Sequence, residues 1–85
     1  ENLIESISLG TVEQRLAQAL LSLSEGGNEV VLNMKKGDFA SQLGMSQETL
    51  SRKLSAFQEQ GLIELKGHKR IMLLNRNELE SILMS

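Results

Sequence analysis

The sequence predicts an α+β fold: a three-helix core, a β-hairpin laid against it, and a short helix at the C-terminal end. Three observations predict it. Apolar residues recur at helical spacing in three segments that glycines separate. Two short apolar runs flank Lys66-Gly67-His68-Lys69 and read as a single hairpin. The 85 residues, 40% of them hydrophobic, suffice for one small core and leave no room for a second.

Val12, Leu16, Ala19, Leu20 and Leu23 give a first amphipathic helix over about 11–24, which Gly26-Gly27-Asn28 ends. Val30-Val31-Leu32 suits a strand, and Met34-Lys35-Lys36-Gly37 leads from it into the next element. Phe39, Ala40 and Leu43 share a face of a short second helix. Gly44 stops it and tolerates the positive φ that a tight inter-helix turn needs. Ser46 opens the third helix, because its hydroxyl can accept from a free N–H of the first turn, and Glu48 there suits the positive end of the helix dipole. Leu50, Leu54 and Phe57 point inward and Gly61 follows Gln60, so this helix covers 47–60. Leu62–Leu65 and Arg70–Leu74 are the hairpin strands. Asn75 or Asn77 caps a last helix through Glu78, Leu79, Ile82 and Leu83.

Composition narrows the function. No apolar run approaches the ~20 residues of a membrane span, so a soluble protein with no membrane partner is expected. Cysteine is absent, which removes disulfides, thiolate metal sites and a cysteine nucleophile and fits the cytoplasm. The chain opens at Glu1 with no basic-then-apolar leader, and is expected to be a piece of a longer protein. No paired carboxylates, phosphate loop or metal-ligand cluster stands out, so an enzyme is not expected and no cofactor is expected in this domain. Net charge is −2, at first sight unfavourable for a polyanionic partner. Yet residues 35–70 hold seven Lys/Arg against four Asp/Glu, while the flanks hold two against seven. The basic segment is the one that contains the two consecutive helices and the hairpin.

Helix, strand, helix, tight turn, helix, hairpin is the order of a winged helix-turn-helix, whose third helix enters the DNA major groove. Residues 38–65, DFASQLGMSQETLSRKLSAFQEQGLIEL, closely resemble the helix-turn-helix of the cyclic-AMP receptor protein/FNR (Crp/Fnr) family of bacterial transcription regulators. VEQRLAQALLSLSE at 12–25 and NELESIL at 77–83 are similar to the family's first and last helices. The resemblance implies a domain over 9–85, with the helix-turn-helix at about 36–60 and the wing at about 62–74. Residues 1–8 would then be the end of a dimerisation helix or hinge. It also implies double-stranded DNA and RNA polymerase as partners, a homodimer in the full-length protein, and an effector of unknown identity bound by a missing sensor domain.

Gln47, Glu48, Ser51, Arg52 and Ser55 lie opposite the apolar face of the third helix. Arg52 can donate a bidentate pair to guanine O6 and N7, and Glu48 can accept from a cytosine N4 amine. Spacing alone allows a plainer reading, a solvated i,i+4 ion pair. By resemblance Glu48 and Arg52 match the family's base-reading residues, with Gln47 and Ser51 beside them. Ser51 is similar to the FNR-like pattern Glu-Thr-x-Ser-Arg, where the receptor-protein branch has Gly, and so implies a TTGAT-type half-site in an inverted repeat. Ser46 and Thr49 look like phosphate contacts, Ser46 being equally a cap. Lys35, Lys36, Lys53, Lys66, His68, Lys69 and Arg70 can supply further phosphate contacts or stand as solvated surface. Lys35 departs from the family's usual Ser or Thr, and Lys53 from an apolar residue. Its stem can cover the core while its charge stays in water.

Two other functions fit the pattern: a winged-helix protein-interaction module, and a DNA-binding winged helix of another regulator family. Fold alone does not choose between them. An interaction module would show apolar anchors on residues 47–55, where this chain shows Gln, Glu, Ser, Arg and Ser.

Overall fold

The computed structural model describes residues 10–67 and 69–84. The expected dimerisation segment 1–8 and His68 lie outside the described residues. The elements are α1 (Val12–Leu23), β1 (Glu29–Val31), α2 (Lys36–Leu43), α3 (Gln47–Glu59), β2 (Ile63–Lys66), β3 (Arg70–Leu73) and α4 (Arg76–Met84).

Local chemistry sets the helix ends. Thr11 and Gln14 form a capping box at α1: the Gln14 N–H donates to Thr11 Oγ1 at 3.0 Å, and Gln14 Oε1 accepts from the Thr11 N–H at 3.2 Å. Gly44, at φ 74°, ends α2, and the Met45 N–H bonds back to the Ala40 carbonyl at 3.0 Å. Gly61, at φ 78°, does the same for α3, with the Leu62 N–H on the Phe57 carbonyl at 2.9 Å. Both are Schellman closures, which place a left-handed residue just past the helix. Asn75, not Asn77, caps α4: its Oδ1 accepts from the Glu78 N–H at 3.1 Å. Lys35 gives α2 no side-chain cap, as its lack of an acceptor requires.

The three strands form an antiparallel sheet in the order β1-β3-β2. Val30 pairs with Ile71 and Ile63 with Leu73, and all four side chains are buried. The first strand begins at Glu29 rather than Val30, because its ladder runs opposite Arg70–Met72. Leu32 lies beyond it, buried, its N–H on the Lys69 carbonyl at 2.7 Å. These strands, with Leu16, Leu20, Phe39, Leu50, Leu54, Phe57 and Leu79, enclose one core.

Two positions differ from expectation. Leu23 is 41% exposed, because the buried stripe of α1 runs through Leu16, Ala17 and Leu20 towards Ser24. Val12 and Ala19 are partly buried, and Ala19 packs against the edge of the core. Leu74, expected inside the second hairpin strand, follows β3 and is 56% exposed.

Candidate nucleic-acid interface

Ser46 organises the start of α3. Its Oγ accepts from the Thr49 N–H at 3.1 Å and donates to Thr49 Oγ1 at 2.9 Å, so the cap and a hydroxyl pair share one atom. From there the helix has two unlike faces. Leu50, Leu54 and Phe57 are buried, whereas Glu48, Ser51, Arg52 and Ser55 are exposed. Arg52 Nη2 lies 2.6 Å from Glu48 Oε2, with both side chains about three-quarters exposed. The pair is held in register by the helix yet open to a ligand. An exposed i,i+4 pair contributes only about 0.3–0.5 kcal/mol to the helix, too little to resist recruitment by a better partner.

Other residues expected to make contacts fall into separate groups. Lys53 Nζ lies 2.7 Å from Glu13 Oε2 on α1, and its side chain remains about a third exposed. That hydrogen bond is the chief cause of a Glu13 pKa below the ordinary carboxylate value. Arg70 bonds Glu29 on the neighbouring strand, and Lys66 lies 3.8 Å from Glu64. Arg76 donates from Nη1 to Ser24 Oγ at 2.7 Å and to the Gly27 carbonyl at 2.6 Å, tying the start of α4 to the α1–β1 turn. Arg15 is engaged as well. Of the nine Lys and Arg residues this leaves Lys35, Lys36 and Lys69 with neither an ion pair nor a side-chain hydrogen bond among the described residues.

All three line one hollow of about 290 Å³, together with Met34 and Gln47. It sits where the start of α2, the start of α3 and the hairpin loop meet. Gln47, exposed at the first position of α3, lines this hollow, whereas Glu48, Ser51 and Arg52 do not. Its amide lies against Gly37 so closely that a Cβ at that glycine would stand 3.2 Å from Gln47 Oε1. A larger hollow, about 390 Å³, lies between α1 and the end of α2; its one cation is Arg15.

The carboxylates Glu13, Glu29 and Glu64 and the Arg76 clamp were not singled out from sequence. Their partners are mostly distant in the chain, 40 residues for Glu13–Lys53 and 41 for Glu29–Arg70. Among the described residues no group of three His, Asp or Glu could hold a metal ion. Among the described residues no helix is long and apolar enough to cross a membrane.

Residues 14–82 match the family described as the Crp-like helix-turn-helix domain. The electron transport regulator A of Shewanella oneidensis is 36% identical over 93% of this chain and 34% of its own length. The fumarate and nitrate reduction regulatory protein of Escherichia coli K12 is 33% identical over 96% of this chain and 35% of its own. A crystal structure of a putative Crp/Fnr-family transcriptional regulator from Eubacterium rectale superposes with a TM-score of 0.79 at 34% identity, covering 98% of this chain and 38% of that one. The chain thus spans about a third of the length of the curated relatives it matches. It belongs to the Crp-like helix-turn-helix family, as the α+β winged-helix DNA-binding domain of a Crp/Fnr-type transcription regulator and not an enzyme.

Proposed function

We propose that two copies of this domain, joined in a full-length homodimer, read an inverted-repeat promoter site whose half-sites are of the TTGAT type. Residues 1–8 end the dimerising helix, and residues 9–85 form the reading unit. The observation that carries the proposal is the exposed polar face of α3, where Glu48, Ser51 and Arg52 stand within two turns of the helix start. On DNA, Arg52 turns from Glu48 to guanine O6 and N7, Glu48 accepts from the paired cytosine or its neighbour, and Ser51 bonds an adjacent base. Two α3 helices reach successive major grooves when they stand about one turn apart, roughly 34 Å.

Backbone contacts hold that register. Ser46 and Thr49 present their hydroxyls beside the groove, and the wing presents Lys66, His68, Lys69 and Arg70. Lys36 and Lys35 reach the backbone from α2. Lys53, Lys66 and Arg70 each leave a carboxylate, Glu13, Glu64 and Glu29, to make such a contact. The domain needs no cofactor of its own; an effector acts through another part of the protein, which works in the cytoplasm with RNA polymerase as its partner at the promoter. The relatives' names, regulators of electron transport and of fumarate and nitrate reduction, support the FNR-like branch.

The test is selection of bound sequences from a random duplex pool at fixed salt, using the chain fused to a dimerising helix. Enrichment of an inverted TTGAT-like repeat that Arg52→Ala and Glu48→Ala both blur is the expected result. A different palindrome removes the half-site assignment, and no enrichment from a folded dimer points to a protein-interaction module.

A further inference from the structure

We infer that Gln58 is a positioning residue for DNA reading: its side-chain carbonyl ties the outer edge of the wing to α3 and so fixes where Lys66 stands relative to Glu48, Ser51 and Arg52. The inference rests on the wing and α3 contacts proposed above and names the residue that holds the two at one spacing.

The register of the hairpin gives the first argument. The Leu74 N–H donates to the Leu62 carbonyl at 2.8 Å, and bonded and non-bonded pairs alternate along an antiparallel ladder. Leu65, opposite Ile71, falls in a non-bonded pair, so its N–H faces away from β3 at the outer edge of the sheet. There it donates to Gln58 Oε1 at 2.8 Å. On its other side β3 is held by β1 and by the bond from the Leu32 N–H to the Lys69 carbonyl. Among the described residues no strand lies beyond β2, and the Gln58 side chain takes that place.

The connection between α3 and β2 gives the second. The chain reverses at Gly61, whose φ is 78° and beside which a Cβ would meet nothing within 4 Å, so no packed side chain braces the turn. Gln58 brackets it with both oxygens: its backbone carbonyl accepts from the Gly61 N–H at 3.0 Å and its side-chain carbonyl from the Leu65 N–H. Ile63 is buried, Leu65 half-buried and Lys66 exposed, so β2 leaves the core where the Gln58 bond takes hold. An exposed edge N–H would otherwise bond water, so this contact adds little to stability; what it adds is a fixed direction. Gln58 stands in the last turn of α3, about 15 Å along the helix axis from Glu48, and its part in recognition runs through the wing.

The experiment uses two variants that keep the length of the side chain: Gln58→Met removes the acceptor and Gln58→Glu retains one. Because the side chain is exposed, both should fold, as urea unfolding checks. The chain has no cysteine, so spin labels introduced through Glu59→Cys and Lys66→Cys report the distance from α3 to the wing by pulsed electron resonance. That distance should match in the parent and Gln58→Glu and should shift or broaden in Gln58→Met. Binding of the dimerised chain to a selected duplex is then followed over a salt series, with and without Lys66→Ala. Lys66→Ala should lower the salt slope by about one in the parent and in Gln58→Glu, and hardly change it in Gln58→Met, whose wing cation is already displaced. An unshifted distance or a full Lys66 effect in Gln58→Met would overturn the inference. Loss of the Lys66 effect in both variants would assign the role to the Gln58 amide nitrogen as a direct DNA contact, and absence of that effect in the parent would remove the wing contact; either overturns it. The spin-label distance needs no DNA, so it judges the placement even if pool selection shows the α3 reading to be wrong.

Discussion

Arg52→Ala separates the two roles open to the Glu48–Arg52 pair, because the structure predicts very different magnitudes for them. In the free protein both side chains are about three-quarters exposed and the ion pair is an i,i+4 contact, so its removal should cost no more than about 0.5 kcal/mol of stability. With three-quarters of the Arg52 side chain exposed, its truncation leaves no buried cavity to enlarge that figure. On a selected DNA site, loss of a bidentate contact to guanine should cost about 1–3 kcal/mol, or roughly 5- to 150-fold in affinity. Urea unfolding gives the first quantity, and fluorescence anisotropy with selected and random duplexes at one salt concentration gives the second. A discrimination ratio that falls while random-duplex affinity falls little is the expected result. Equal losses on both duplexes would show that Arg52 contributes charge and not base recognition. A stability loss well above 0.5 kcal/mol would show that the pair braces the helix more than its exposure allows.

Three further outcomes are expected. Gly44→Ala should lose about 1–2 kcal/mol in urea unfolding, since residue 44 sits at φ 74° and a Cβ there would stand 3.4 Å from Arg15 Nη1, so backbone strain rather than collision sets the cost. Ser46→Ala should lose about 1 kcal/mol by removing the bond to the Thr49 N–H, and should weaken DNA binding by also freeing the Thr49 hydroxyl; Ser46→Asp should restore the stability but not the binding, a phosphate-facing carboxylate being repelled. Glu13→Gln tests the bridge to Lys53: the Glu13 pKa is depressed in the folded protein, so the bridge's contribution is present above the unfolded pKa and is lost as pH falls through the folded one. Because both partners are at least a third exposed, that contribution is only about 0.2–1 kcal/mol. The variant should be the less stable protein at pH 7 and equal to the parent well below pH 4, by urea unfolding at each pH.

The features legible in the sequence are those written in neighbouring residues. Ser46 and Gly61 bound α3 through bonds spanning three to five positions, and the structure repeats both. Gly44 likewise carries its turn in its own conformational freedom. The inward face of α1 was less legible, because Leu23 and Ala17 are both apolar and only the placement of α2 and α4 decides which is covered. The start of β1 needed its partner strand, since two residues on either side of Glu29 give no signal of the register with Met72. The destination of Lys53 was illegible for the same reason: its partner lies in another helix, 40 residues away.

An acidic domain that binds DNA places its carboxylates with care. Glu29, Glu64 and Glu13 each neutralise a cation, and Glu48 holds one that it can surrender. The net charge of −2 is therefore not spread evenly over the surface: Lys35, Lys36 and Lys69, which have no carboxylate partner among the described residues, lie together beside the start of α3. Such a surface limits sliding attraction to random duplex, because few phosphates can be neutralised at once, and it makes affinity depend on register. When α3 sits correctly in the groove, the lysine hollow and the Arg52–Glu48 face meet backbone and bases together; a misplaced helix loses both. Removing a carboxylate at the wing should test this directly. Glu64→Gln frees Lys66 from its partner at 3.8 Å, so binding to random duplex should strengthen and its salt dependence steepen, while affinity for the selected site rises less. Equal strengthening on both duplexes would mean that the acidic residues set overall affinity and leave discrimination to α3 alone.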